Sequence, residues 1–325
     1  MRFGIAKPAL LGVLLVSTPT PSAMAAQTFP SKPMRMIVPF PPGGLSDGLA
    51  RLLALGVVQD WGQPMLIDNR PGAGTTLAAD LVAKAPNDGY TLFFQDITTH
   101  GINAGLYRKL PYDSVKDFAP VAVASASPLI LGVASSLAAK SVKELVALAK
   151  SQPGKVNFGS SGNGTILHLS GQLFNKLAGV DLVHVPYKGS PPAVAALLGG
   201  EVSIVFATTG SVLPHLSSGK VRALGVTTAR RSPLLPDLAP IADTLPGYDI
   251  KLYQGILVPA GTPREVVMQL NQGFNRIMSR PEASEQWARL GAEIVIASPE
   301  EAGRLFRGEV ASLSKLAVES GARIE

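Results

Sequence analysis

From residue 34 onward the chain alternates short apolar runs with stretches of helical period. Residues 34–40 form an apolar run of strand length, and residues 47–60 place Leu, Ala and Val at helical spacing. Strand-length runs recur at 65–68, 91–94, 129–133, 156–158, 182–185, 204–206 and 223–226. Helical patterns fall between them at 75–85, 141–150, 167–177 and 193–198, with Val142, Leu145, Val146 and Ala149 on one face of the second. Strand–helix alternation at this spacing predicts an α/β protein whose sheets are mostly parallel and flanked by helices on both faces. Residues 263–325 read as mostly helical and amphipathic, packing across one lobe.

Helix starts are marked by three capping boxes: Ser141 with Glu144, Thr262 with Glu265, and Ser298 with Glu301. The last two carry proline at the expected first helical position. Counting elements divides the chain into two lobes. Residues 26–124 with 227–325 form lobe 1 and residues 125–226 form lobe 2, with crossings near 123–127 and 225–228.

Residues 1–25 stand apart. Arg2 and Lys7 precede an apolar run over 9–16, and Ala23-Met24-Ala25 supplies a small-x-small site, the pattern of a secretory signal peptide. The run is too short for a membrane span, which needs about 20 apolar residues, and no later stretch is long and apolar enough either. Export to the periplasm follows, with cleavage after Ala25. The remaining length suits two lobes of ordinary size.

Composition narrows the chemistry. Hydrophobic residues at 46% and charged residues at 16% describe a well-buried globular chain. Cysteine is absent, which removes disulfides, thiolate nucleophiles and cysteine metal sites. The formal charge of +6 includes Arg2 and Lys7; without them, 27 basic residues stand against 23 acidic ones. The basic residues are scattered, so nothing resembles a nucleic-acid stripe. The four histidines (His100, His168, His184, His215) lack metal-ligand spacing, and neither nucleotide-phosphate fingerprint is present. No cofactor or metal is expected.

Four glycine-rich turns stand between a strand and a helix, around Gly43-Gly44, Gly72-Ala73-Gly74, Gly162-Asn163-Gly164 and Gly189-Ser190. Glycine lets backbone approach a bound group, and a helix N-terminus offers unpaired N–H donors to an anion. In open α/β sheets ligands bind beyond the carboxyl ends of the strands, where these turns lie. Each turn alone is an ordinary capped turn; four in equivalent positions point to a ligand cleft. Gly159-Ser160-Ser161-Gly162-Asn163 approximates a nucleophile elbow but lacks the final glycine. A serine hydrolase using Ser161 and a histidine is the catalytic alternative.

The motifs around these turns are similar to those of a known family. Phe29-Pro30-Ser31-Lys32-Pro33 leads into Ile37-Val38-Pro39-Phe40-Pro41-Pro42-Gly43-Gly44, followed by Asn69-Arg70-Pro71-Gly72-Ala73-Gly74 and Asp88-Gly89-Tyr90-Thr91-Leu92. Lys109-Leu110-Pro111-Tyr112-Asp113, Lys116-Asp117-Phe118-Ala119-Pro120, Gly159-Ser160-Ser161-Gly162, His184-Val185-Pro186-Tyr187-Lys188-Gly189 and Pro259-Ala260-Gly261-Thr262-Pro263 continue the series. Together they resemble, in order and over the whole mature chain, the solute-binding proteins of tripartite tricarboxylate transporters, the Bug receptors. The resemblance implies a two-lobe Venus-flytrap fold, a small carboxylate ligand (dicarboxylate, aromatic carboxylate or amino acid), and no enzymatic activity. It also implies a monomer that delivers its ligand to a membrane permease or, alternatively, feeds a sensor kinase.

The resemblance further implies two jaws. The first comprises Gly43, Gly44, Leu45, Ser46 and Asp47, with Asp47 more suited to capping its helix. The second comprises Tyr187, Lys188, Gly189, Ser190 and Ala193. Ser46 and Ser190 would offer donors, Gly44 and Gly189 close approach, and Ser160, Ser161 and Thr165 the distal end of the site. Two positions depart from the family pattern. Gln95-Asp96 replaces small or uncharged residues, and Ala207-Thr208-Thr209 stands where an acid or asparagine is common. Asp96 beside a bound carboxylate would repel it, so it either points away or reads an ammonium or hydroxyl group.

The export reading predicts a periplasmic protein whose intact mass corresponds to a chain beginning near Ala26. Uncleaved chain confined to the cytoplasm would contradict it.

Overall fold

The computed structural model describes residues 29–319, with Met1 and Gly4 isolated before them. The signal-peptide segment therefore lies outside the described residues. The strands are β1 (Met34–Val38), β2 (Met65–Asn69), β3 (Thr91–Asp96), β4 (Phe118–Ser127), β5 (Leu129–Ala134), β6 (Asn157–Ser160), β7 (Val183–Pro186), β8 (Ile204–Thr208), β9 (Val221–Val226), β10 (Leu252–Pro259) and β11 (Glu293–Ile294). The helices are α1 (Leu45–Trp61), α2 (Thr76–Ala83), α3 (Ile97–Leu106), α4 (Val142–Ser151), α5 (Ile166–Ala178), α6 (Ser190–Gly199), α7 (Thr209–Leu216), α8 (Arg264–Met278), α9 (Ala283–Arg289) and α10 (Pro299–Glu319).

The strands form two sheets, one of six strands in the order β11-β4-β10-β3-β1-β2 and one of five in the order β7-β6-β8-β5-β9. Helices flank both, giving the expected two-lobe α/β fold. The expected parallel character holds only in part. Parallel pairing joins β1 to β2 and β3, and β6 to β7 and β8. The pairs made by β10, β5 and β11 are antiparallel. For β5 and β10 the cause is the double crossing. The chain passes from β4 through Pro128 into β5, and returns from β9 to β10. Each crossing strand enters its new sheet from the end facing the other sheet, so it runs against the βα-built strands it joins.

The capping boxes differ in outcome. Ser298 is reciprocal: its Oγ accepts from Glu301 N (3.2 Å) while Glu301 Oε2 accepts from Ser298 N (2.9 Å). Ser141 Oγ accepts from Glu144 N, and the Glu144 carboxylate reaches the N–H of Lys140. Thr262 forms no box. Its hydroxyl donates to Pro259 O at 2.7 Å, and α8 starts one residue later than expected, after Pro263.

The C-terminal helix lies across α3, the helix that opens at the end of β3. Two glycines one turn apart allow the contact. A Cβ on Gly101 would stand 2.9 Å from Glu309 O, and one on Gly105 would stand 2.1 Å from Ser314 O. These obstacles are backbone, so no rotamer change relieves them. Gly105→Ala is expected to destabilise the protein by about 1–3 kcal/mol, read as a lower urea midpoint with unchanged far-UV circular dichroism. An unchanged midpoint would contradict the close packing of α10 on α3.

Candidate functional site

The turns after β1 and β7 meet across the cleft between the sheets. A Cβ built on Gly189 would lie 3.8 Å from Pro41 Cδ, so the two turns are in van der Waals reach. Gly189 adopts φ +115°, a conformation L side chains rarely take. Beneath this contact lies a cavity of about 60 Å³, several times the 10–15 Å³ that one water needs. A larger outer chamber of about 580 Å³ shares Phe40, Pro41, Ser161, Lys188 and Gly189 with it and extends to Gly72–Thr75, Gly162, Asn163 and Tyr187.

Of the expected site residues, Gly44, Leu45, Ser46, Asp96, Ser161, Lys188, Gly189, Ser190 and Thr208 line the inner cavity. Helix starts bring them together. Gly44, Asp96, Gly189 and Thr208 are the N-cap residues of α1, α3, α6 and α7, and none of the four helices has a side-chain cap. Side-chain caps occur on α4, α5 and α10, through Ser141, Thr165 and Ser298, while α2, α8 and α9 lack them as the four cavity helices do. First-turn N–H groups thus remain available at the cavity. The second jaw offers fewer than expected, because Pro191 and Pro192 occupy the first turn of α6 and carry no N–H.

The remaining expected residues have other work. Asp47 faces away from the cavity: it accepts from Gly43 N (3.0 Å), Arg51 Nε (3.0 Å) and Asn69 Nδ2 (3.0 Å). Burial raises its pKa, but these hydrogen bonds and the Arg51 charge prevail and hold it below the usual carboxylate value. It fixes the first jaw and does not touch the cavity. Gln95 lies on the opposite face of β3, as strand alternation requires. Its amide donates to Thr75 Oγ1 (3.1 Å), contacts His100 Nδ1 (3.3 Å) and accepts from Asp96 N (2.9 Å). Ser160 is held by His184 Nε2 at 2.6 Å and by the Gly162 N–H. Thr165 caps α5 through His168 N and borders only the outer chamber, as does Tyr187, whose hydroxyl donates to Glu201. Ala193 is fully buried in the core under α6.

The arrangement does not favour a hydrolase. The histidine pairs with Ser160, not Ser161. His184 stacks on His168 with ring centroids 3.9 Å apart, and burial pushes its pKa down to about 3. Such an imidazole is a poor base at neutral pH.

Leu252 and Gln254 on β10, with Leu167, Phe40 and four prolines, complete the cavity wall and escaped the sequence reading. Gln254 is the polar member. It pairs in register with Asp96 on β3 and with Ser125 on β4, forming one cross-strand row. Ser125 Oγ donates to Gln254 Oε1 (3.1 Å), which turns the amide nitrogen toward Asp96 Oδ1 (2.9 Å) and Ser46 Oγ (2.6 Å). Ser46 Oγ in turn donates to Asp96 Oδ1 at 3.3 Å. Burial of Asp96 drives its pKa up to about 6, while the Gln254 and Ser46 hydrogen bonds oppose the rise. Ser161 is buried at the wall and makes no side-chain hydrogen bond to the described residues.

The family model of the tripartite tricarboxylate transporter family receptor matches residues 49–321. Rpa4515 of R. palustris, solved with adipate, is 36% identical with a TM-score of 0.86, covering 90% of this chain and 98% of its own. The periplasmic binding protein BugD is 30% identical with a TM-score of 0.85, covering 91% and 100%. MatC from Rhodopseudomonas palustris, solved with bound malate, is 32% identical with a TM-score of 0.83, covering 89% and 100%.

Asp96 yields a stability prediction. Its pKa is higher folded than unfolded, so the folded state holds the proton more tightly between about pH 4 and 6. Wild-type stability therefore falls as pH rises through that window. The displacement from 3.8 to about 6 corresponds to about 3 kcal/mol. Unliganded Asp96→Asn protein is expected to be more stable than wild type at pH 8, with the gain vanishing near pH 4. Equal denaturation midpoints at both pH values would show that Asp96 costs the fold nothing.

Proposed function

The chain belongs to the tripartite tricarboxylate transporter family of receptors, solute-binding proteins and not enzymes, and from this we propose that it captures a small carboxylate-bearing solute in the periplasm and hands it to a membrane permease. The observation that carries this reading is the meeting of two turns from different sheets over one cavity lined by uncapped helix starts. A carboxylate there accepts charge-assisted hydrogen bonds, about 1.5–3 kcal/mol each. Donors are the first-turn N–H groups of α1, the Ser190 N–H and the Ser161 hydroxyl, with the Lys188 ammonium at the mouth. The adipate and malate carried by Rpa4515 and MatC accord with a ligand of this size and charge.

In this reading the two sheets are the cores of two lobes, 26–124 with 227–325 and 125–226, that close by hinge motion at the crossings. Thr227 is suited to a hinge clamp. It accepts from Leu129 N (3.0 Å) and donates to Ile250 O (2.8 Å) through one hydroxyl, tying both crossings together.

Gly44→Asp tests the reading most cleanly. Gly44 has no atom nearer than 4.0 Å to its built Cβ and an extended backbone, whereas Gly189 is strained for any side chain. The variant should fold as wild type, yet lose the melting shift produced by mono- and dicarboxylates. At ligand about 100 times Kd that shift corresponds to about 2.7 kcal/mol. A folded Gly44→Asp protein with normal carboxylate binding would place the site elsewhere.

A further inference from the structure

Asp96 is an N-cap residue that does not cap. Aspartate at this position ordinarily accepts from the N–H of the second or third helical residue. Here α3 receives no side-chain cap, and the Asp96 carboxylate lies in the cavity wall instead. The residue is 4% exposed, and no basic side chain of the described residues pairs with it. Ser46 and Gln254 both donate to Oδ1; Oδ2 has no partner among the described residues. A buried carboxylate with one free oxygen and no cation paired with it is costly unless something completes it.

The surroundings are built for the ionised form. Gln254 presents its NH2 to Asp96 because Ser125 donates to the amide oxygen, and the start of α3 adds a partial positive charge. Hydrogen bonds donated to a carboxylate favour its charged state. The rest of the cavity wall is mainly apolar, formed by Phe40, Leu45, Leu167, Leu252 and prolines, and Lys188 is its other charged residue. Lys188 and Ser161 border both chambers, whereas Asp96 belongs to the inner one alone. The wall therefore carries an acid in its inner part and a base where the chambers join. With Pro191 and Pro192 in the first turn of α6, the donor set for a second carboxylate is also reduced.

The geometry points to Asp96 as a specificity-determining residue that selects amino-carboxylates, its free oxygen accepting from the ligand's ammonium while the carboxylate lies toward Lys188 and Ser161. The inference rests on the receptor reading above and narrows its ligand class. A plain dicarboxylate has no donor to offer at neutral pH and would bring a second negative charge against Asp96.

Isothermal titration of ligand-stripped mature protein at pH 8 tests it with two matched sets: glutarate, L-glutamate and 5-aminovalerate; adipate, L-2-aminoadipate and 6-aminohexanoate. Wild type is expected to bind an amino member of at least one set about tenfold or more tightly than the dicarboxylate of that set. Asp96→Asn should lose that preference, weakening the amino member about tenfold and strengthening the dicarboxylate. Asp96→Ser should do the same, which separates loss of charge from a misplaced asparagine amide. Preference for the dicarboxylate in both sets, or an amino preference unchanged in both variants, would overturn the inference while leaving the carboxylate receptor intact. Failure of all six compounds to bind wild type would overturn the inference; the receptor reading would fall with it only if aromatic and other mono- and dicarboxylates also left the melting temperature unchanged.

Discussion

The cleft depends on β10, the strand that returns from the second sheet and hydrogen-bonds between β3 and β4. Its antiparallel insertion places Gln254 directly beside Asp96 on one side and Ser125 on the other. Without that row the Asp96 carboxylate would have only the Ser46 hydroxyl, and a buried charge with one weak partner shifts its pKa or unfolds its surroundings. The same strand directs Leu252 into the cavity two residues earlier, because strand side chains alternate. Gly255 follows at a register shift, and its Cβ would strike Ile97 Cδ1 at 2.6 Å. Sheet closure, the start of α3 and the polar end of the cavity are thus one packing problem.

Much of the architecture was legible because its signals are local. The βα units of each sheet announce themselves by an apolar run, a glycine turn and a helical period, and most of the turn residues they imply do reach the cavity. The crossing strands were less legible. β10 reads as Leu-Tyr-Gln-Gly-Ile-Leu-Val-Pro, with a polar residue and a glycine near its centre, so although the Pro246-Gly247 turn precedes it, its own pattern is a weak strand signal. Its contribution depends on a partner 158 residues away in sequence, which no periodicity reveals. Sheet sense was legible only for the βα-built strands: alternation predicts parallel pairing, and the route of the crossings reverses it at β5 and β10.

Side-chain direction set the other limit. Gln95 and Asp96 are adjacent, yet alternation sends one toward Thr75 and His100 and the other into the cavity. Ser160 and Ser161 divide in the same way, one consumed by His184 and one free at the wall. Sequence position names the turn; it does not say which of two neighbours faces the ligand until the strand's register is known. Asp47 shows the converse. Its place in the first turn of α1 suggested a structural role, and its three hydrogen bonds to Gly43, Arg51 and Asn69 fulfil it.

The wall composition explains why a single acid can govern selection. Four prolines, Phe40 and three leucines make up about half of the residues lining the inner cavity. Proline restricts the unbound turns and so lowers the ordering cost of closure, but it also removes the backbone donors that a second carboxylate would use. Apolar walls that exclude water leave the few charges poorly screened, and electrostatic interactions there are stronger than at an exposed surface. In such an enclosure any ligand must satisfy Asp96 or be opposed by it. The acid that makes the empty protein less stable above pH 6 is then the group with most to gain from a cationic partner, because one hydrogen-bonded ammonium relieves both the unpaired oxygen and the buried charge.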